Sequence, residues 1–176
     1  DGVLVKNMLK KGGSAITLVG TCNVSWFNCQ FKTTANLFEL SGSATNNLTN
    51  CLMYQTSSLM ATLTGTSVLN CVDCVFQMNA QSVCIRLTQT GEEEPTNPVL
   101  ILQNVSFYQI AGGTYPFCVR GVLNGSLPPS QIPIYVQGNV TATQDIDTSN
   151  LVNAISGNAI VVDTDVQVST NFLKIF

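Results

Sequence analysis

Polar and apolar residues alternate along this chain in short runs, and the runs recur at a nearly constant interval. The clearest run is Asn28-Cys29-Gln30-Phe31, a polar residue followed by apolar residues one and three positions later. Similar runs start with Asn or Asp at positions 7, 50, 73, 104, 139 and 165. We call these Asn and Asp residues, together with Asn28, the markers. An apolar period of two is typical of a half-buried β-strand.

Two more strand-like segments accompany each marker. One follows it, as in residues 15–18, 36–40, 59–63, 83–87 and 117–120, and one precedes it, as in residues 22–26, 68–71, 99–102, 134–136 and 159–162. A glycine stands eight residues before several markers, at Gly20, Gly42 and Gly65, where it indicates a bend. Each unit therefore holds about three strands and three turns, and no segment has the pattern of a helix.

The first three markers after Asn7 follow at intervals of 21, 22 and 23 residues, and the later intervals are longer. Two loop-like stretches, residues 89–98 and 121–133, explain part of the lengthening. We expect one domain over residues 1–176 with about seven rungs, both insertions on one edge, and a possible apolar cap at residues 169–176. Insertions on one face of a solenoid often form its binding surface.

The repeat predicts an all-β, right-handed parallel β-helix. A leucine-rich repeat has a similar length, but it places its apolar residues at the opposite parity relative to the Asn. In a stacked coil the marker amides are expected to form a ladder at an inward turn, beside a core column of Phe31, Met53, Phe76 and Phe107.

The Asn/Asp-apolar-x-aromatic repeat, with rungs near 22 residues, resembles the pectin-lyase-like β-helix superfamily. That resemblance implies the β-helix fold. It leaves the activity open, because the superfamily contains polysaccharide lyases and hydrolases, phage tailspikes, and surface or virion proteins.

The composition of the chain excludes several classes of function. Charged residues make up only 10% of the chain, against about 25% in an ordinary soluble domain. The few lysines and arginines are scattered, which argues against nucleic-acid binding, and no apolar run approaches the roughly 20 residues of a membrane helix. The chain has no histidine, which excludes Ser-His-Asp and Cys-His catalysis and most zinc enzymes. We expect no cofactor and no metal.

The seven cysteines are interpreted mainly as buried thiols. Cys71 and Cys74 have CxxC spacing, but a single pair is a weak metal or redox motif. Cys74 also occupies the core position that Cys29 and Cys51 fill in earlier units.

Two charged groups are candidate sites. Arg86 and Arg120 occupy matching positions in adjacent units, with Glu92, Glu93 and Glu94 between them in sequence. This arrangement fits either a site for an anion or sugar acid, or a structural Arg–Glu cluster. If the chain is an enzyme, Asp163 and Asp165 are the candidate catalytic pair, since residues two apart on a strand share a face.

We expect a non-enzymatic structural or attachment module of a virion, phage fibre or tailspike, or of an extracellular surface. Its partners would be other protein subunits, with a homotrimer as one form, and a host or surface glycan bound through the loops. The alternative is a carbohydrate-active β-helix enzyme, either a polysaccharide lyase or a hydrolase.

Overall fold

The computed structural model of the chain describes residues 2–34, 36–55, 60–78, 84–88, 96–109, 119–122, 134–142 and 160–162. Within these ranges the chain contains strands and turns and no helix. All strand pairs are parallel, and each strand pairs with the equivalent strand about one unit away in sequence. The fold is therefore a parallel β-solenoid, as the repeat predicted.

Three sheets form the walls of the coil. The first sheet contains, in spatial order, β1 (Val3–Lys6), β4 (Asn23–Phe27), β7 (Thr45–Thr49), β10 (Val68–Val72), β13 (Val99–Gln103), β16 (Ile134–Gln137) and β18 (Ile160–Val162). The second contains β2 (Leu9–Lys11), β5 (Gln30–Thr33), β8 (Leu52–Gln55), β11 (Val75–Met78), β14 (Ser106–Gln109) and β17 (Thr141–Ala142). The third contains β3 (Ile16–Leu18), β6 (Phe38–Leu40), β9 (Ala61–Leu63), β12 (Ile85–Thr88) and β15 (Val119–Val122).

The solenoid is clearest in its first part, which makes about three turns of three strands each. Seven rungs, the right hand of the coil and the two insertions stay predictions. Most of residues 89–98 and 121–133 lie outside the described residues, as do marker Asp165 and the predicted cap at residues 169–176.

The core lies between the three sheets. Phe31, Met53, Phe76 and Phe107 are each at most 1% exposed, and the register pairs them in one column. The rings of Phe76 and Phe107 stack with centroids 5.1 Å apart, and the column stabilises the coil by excluding water between successive turns.

Trp26 and Asn46 form a polar pair within the largely apolar interior. Trp26 donates its indole N–H to Oδ1 of the buried Asn46 at 2.7 Å. The Nδ2 of Asn46 is buried without a hydrogen-bond partner. The indole N–H is thus hydrogen-bonded. The NH2 group of Asn46 is buried without a hydrogen bond, and its desolvation destabilises the folded state.

The markers form the corner between the first and second sheets. Their backbone is left-handed, with φ of 51° to 54° at Asn7, Asn28, Asn50, Asp73 and Asn104. Asn and Asp tolerate this conformation better than other residues with side chains. At the next corner the left-handed residue is Gly138, with φ of 63°, and Asn139 follows it.

Side-chain amide hydrogen bonds connect these corners in two segments, from Asn7 to Asn50 and from Asp73 to Asn104. Asn28 Nδ2 donates to Asn7 Oδ1 at 2.7 Å, Asn50 Nδ2 donates to Asn28 Oδ1 at 3.4 Å, and Asn104 Nδ2 donates to Asp73 Oδ1 at 3.0 Å. All of these markers are exposed. The predicted inward position of the ladder is therefore wrong. The left-handed corner carries the marker side chain outward, and the following residue, such as Cys29 or Cys51, turns into the core.

A glycine column marks the corner between the third sheet and the next turn. Gly20, Gly42 and Gly65 share a φ of 68°. A Cβ on Gly65 would lie 2.8 Å from the carbonyl oxygen of Gly42, whereas a Cβ on Gly20 would meet nothing within 4 Å. The same backbone angle thus occurs in open space at Gly20 and against the preceding turn at Gly42 and Gly65.

This difference predicts the stabilities of two matched variants. Gly20→Ala should cost about 1 kcal/mol, because only the left-handed angle is strained. Gly65→Ala should cost at least about 1 kcal/mol more, since the stacked turns must also separate. Urea unfolding followed by circular dichroism measures both values, and equal losses would contradict the close stacking at Gly65.

The ladder predicts a second pair of variants. Asn104→Asp should destabilise the fold by about 1 kcal/mol, because it removes the N–H that Asp73 accepts and stacks two carboxylates. Adding Asp73→Asn to that chain restores a donor and should recover most of the loss. The double-mutant cycle is measured by urea unfolding, and additive effects would mean that the two side chains do not interact.

Candidate functional site

The third sheet carries a column of polar residues on its outer face. The strand register aligns Thr17 with Glu39, Glu39 with Thr62, and Thr62 with Arg86. Their neighbours on each strand, such as Phe38 and Leu40, are buried in the core. Because strand residues alternate between faces, the polar residues of this column point away from the core. The column therefore brings side chains from four turns together.

A cleft of about 370 Å³ lies over this column. Four hydroxyl groups line it, from Thr17, Ser41, Thr62 and Thr64, together with Asn36, Glu39 and Arg86. Thr64 donates its hydroxyl to the carbonyl oxygen of Leu40 at 3.2 Å. The polar groups of the cleft are thus hydroxyls, one amide, one carboxylate and one guanidinium, and Leu40 adds apolar surface.

The two charged groups of the cleft stand apart. Thr62 separates Glu39 from Arg86 in the register, which places them two strand spacings, or roughly 10 Å, apart along the stack. Glu39 Oε1 accepts a hydrogen bond from Asn36 Nδ2 at 3.2 Å. The Nε of Arg86 is buried and has no hydrogen-bond partner, so the guanidinium carries an unused donor beside the cleft.

The predicted site residues are placed only in part. The register pairs Arg86 with Arg120 on the next strand, so the two arginine positions are adjacent in the third sheet. Glu92, Glu93 and Glu94 lie outside the described residues, and so do Asp163 and Asp165. Both the anion cluster and the alternative catalytic pair therefore stay predictions.

Most of the cleft was not predicted from the sequence. Arg86 was a candidate site residue, but Glu39, Thr17 and Thr62 were not, although they occupy the same outward position of successive third-sheet strands. Aligning Ile16-Thr17-Leu18 with Phe38-Glu39-Leu40 would have identified the column, since an outward residue stands between two inward apolar residues in each.

The cysteines that the structure describes lie in or against the core and do not line this cleft. Cys29, Cys51 and Cys74 are each at most 2% exposed, and each thiol contacts the carbonyl oxygen two residues before it at 3.2 to 3.4 Å. Cys71 is also fully buried. Among the residues that the structure describes, no group of three or more potential metal ligands occurs, and the six cysteines there are unbridged.

The environment raises the pKa of two of these thiols. For Cys51 the contact with the Cys74 thiol is the main cause, and burial adds to it. For Cys74 the contact with Cys51 lowers the pKa, but the contact with Cys71 and burial outweigh it, so the net pKa is also raised. Both thiols therefore stay protonated and unreactive at neutral pH.

These raised pKa values predict how stability depends on alkaline pH. The unfolded chain loses the two thiol protons above about pH 9, and the folded chain keeps them. The free energy of unfolding should therefore fall as pH rises from about 8.5 to 10, with each such thiol adding up to about 1.4 kcal/mol per pH unit. In the Cys51→Ala/Cys74→Ala variant, urea unfolding at several pH values should give a shallower slope. An unchanged slope would contradict the prediction.

No helix in the described part of the chain is long and apolar enough to cross a membrane. Comparisons with protein-family models, with curated proteins and with solved structures found no match. The resemblance to pectin-lyase-like proteins thus has no support from a related sequence or structure. The parallel β-solenoid itself is established by the strand pairing, and function has to be argued from the surface of the coil.

Proposed function

We propose that the chain is a non-enzymatic structural module that packs against other protein subunits in a virion or extracellular surface assembly. The observation that supports it most directly is the set of edge strands in the first turn that the structure describes. There, β1, β2 and β3 are edge strands of the three sheets. Edge strands present unpaired N–H and C=O groups, which readily pair with another chain.

Apolar side chains surround this end. Val3 is 59% exposed, whereas Val24, its register partner one turn later, is 8% exposed. Leu4, Leu9 and Val19 are more than half exposed as well. A partner that covers this end would continue the core over Val3 and remove the other three side chains from water.

Charge adds a requirement for the partner. All four lysines of the described residues, Lys6, Lys10, Lys11 and Lys32, lie in the first two turns. The register pairs Lys11 with Lys32, so two like charges occupy adjacent positions. A covering subunit with acidic residues around an apolar centre fits this end best.

The rest of the described surface supports a structural role. On the first sheet Asn47 Nδ2 donates to Asn23 Oδ1 at 3.1 Å, and Asn70 Nδ2 donates to Asn47 Oδ1 at 3.4 Å. These outward amides hydrogen-bond each other between turns, as the markers do at the corners. Such side chains stabilise the stack and leave little of this face available for catalysis.

Self-association tests the proposal. The chain should form oligomers at micromolar concentration in sedimentation velocity, and Leu4→Ser/Leu9→Gln should shift it toward monomer. These replacements copy Ser25 and Gln30, the register partners one turn later. Leu52→Gln, in the same outward column in the middle of the stack, serves as the control and should leave association unchanged.

A wild-type chain that stays monomeric at about 100 µM would contradict self-association through this end. The measured stoichiometry also tests the predicted homotrimer. The enzymatic alternative is tested separately by depolymerisation of acidic polysaccharides with the wild-type chain and with Asp163→Asn, since turnover that this substitution abolishes would favour a lyase or hydrolase.

A further inference from the structure

We propose that the cleft on the third sheet binds an acidic saccharide, with a carboxylate or sulfate group of the sugar held by Arg86. This site lies on the side of the coil, mainly on β6, β9 and β12, and meets the first turn, which is assigned to assembly, only at Thr17. It also differs from the insertions at residues 89–98 and 121–133, where the sequence alone would place a glycan.

The guanidinium supplies the anion-binding group. Arg86 Nε is buried and lacks a hydrogen-bond partner, although the side chain borders an open cleft. A buried donor without a partner destabilises the free protein, and an oxyanion that reached this nitrogen would remove that penalty. Arginine also presents its donors in a planar fork that matches a carboxylate or sulfate.

The remaining lining favours a sugar over a bare anion. Thr17, Ser41, Thr62 and Thr64 each bring a hydroxyl to the cleft, and Asn36 brings an amide. Hydroxyl and amide groups both donate and accept hydrogen bonds, which is what sugar hydroxyls require. A small inorganic anion on Arg86 would leave most of these groups unused.

Glu39 makes the two ends of the cleft opposite in charge. It lies two register positions from Arg86, and Asn36 already donates to its Oε1. The carboxylate repels the acidic group of a ligand from that end and can accept from its neutral hydroxyls. The acidic group should therefore bind at the Arg86 end, and the neutral part should extend toward Glu39 and Thr17.

The neighbouring strand strengthens this assignment. Arg120 is the register partner of Arg86, so a second arginine position adjoins the first along the stack, about 4.8 Å away. Two adjacent cationic positions are costly without an anion near them. An acidic saccharide lying along the coil supplies that anion.

Isothermal titration calorimetry of the full chain tests the site with three probes. They are a glucuronate-containing oligosaccharide, its carboxyl-reduced neutral counterpart, and inorganic sulfate. The acidic oligosaccharide should bind at least about tenfold more tightly than either of the others, since only it uses both the arginine and the hydroxyls. Equal binding of the neutral counterpart, or sulfate binding as tight as the oligosaccharide, would overturn the assignment.

Two variants test whether the acidic oligosaccharide binds at this cleft. Arg86→Gln should weaken the acidic oligosaccharide at least about tenfold, and Lys32→Gln should not. The control removes the same charge from the second sheet, where Lys32 Nζ lies 5.1 Å from the Tyr54 ring centroid. Thermal unfolding shows whether each variant is folded.

If Arg86→Gln does not fold, Thr62→Val keeps the test decisive. It removes one cleft hydroxyl with little change of shape, and it should weaken binding several-fold. Unchanged affinity in the folded variants, or no binding of the acidic oligosaccharide to the wild-type chain, would overturn the proposal.

Discussion

The solenoid depends on one left-handed corner that recurs in every turn that the structure describes well. A residue with a side chain adopts a positive φ there at a cost of roughly 1 kcal/mol, and Asn or Asp keeps that cost low. The amide then bonds its equivalent one turn away, as Asn28 does with Asn7. The corner and the ladder together set the register, because a slip of one residue would both break the ladder and turn each apolar side chain outward.

The fixed register decides what each face of the coil can do. Inward positions form the column from Phe31 to Phe107, and outward positions form columns of their own. Where an outward column is uniform, as with Asn47 and Asn70, the side chains satisfy each other. The third sheet differs, because Thr17, Glu39, Thr62 and Arg86 are unlike one another and cannot form a ladder. A cleft with an unpartnered guanidinium nitrogen occurs on that irregular column.

Stacking in one dimension also concentrates unsatisfied surface at the ends. Within the coil each turn is covered on both sides, so Val24 is nearly buried, whereas Val3 is mostly exposed. The stability of such a coil is a sum of contacts between neighbouring turns, and a covering subunit at the first turn would add one more such contact. Assembly through the first turn uses the edge strands β1, β2 and β3, whereas the cleft lies mainly on β6, β9 and β12 and shares only Thr17 of β3 with that turn.

The local rules of this fold could be predicted from the sequence alone. The period of two, the markers Asn28 and Asn50 and the glycines at Gly42 and Gly65 act through steric preferences of single residues and their neighbours, which a linear reading contains. It could not determine that the marker ladder is exposed, that Trp26 bonds Asn46, or that Glu39 and Arg86 share a cleft. Those features depend on side-chain direction at a corner and on the alignment of residues at least 20 positions apart. Only the packing of one turn on the next decides both.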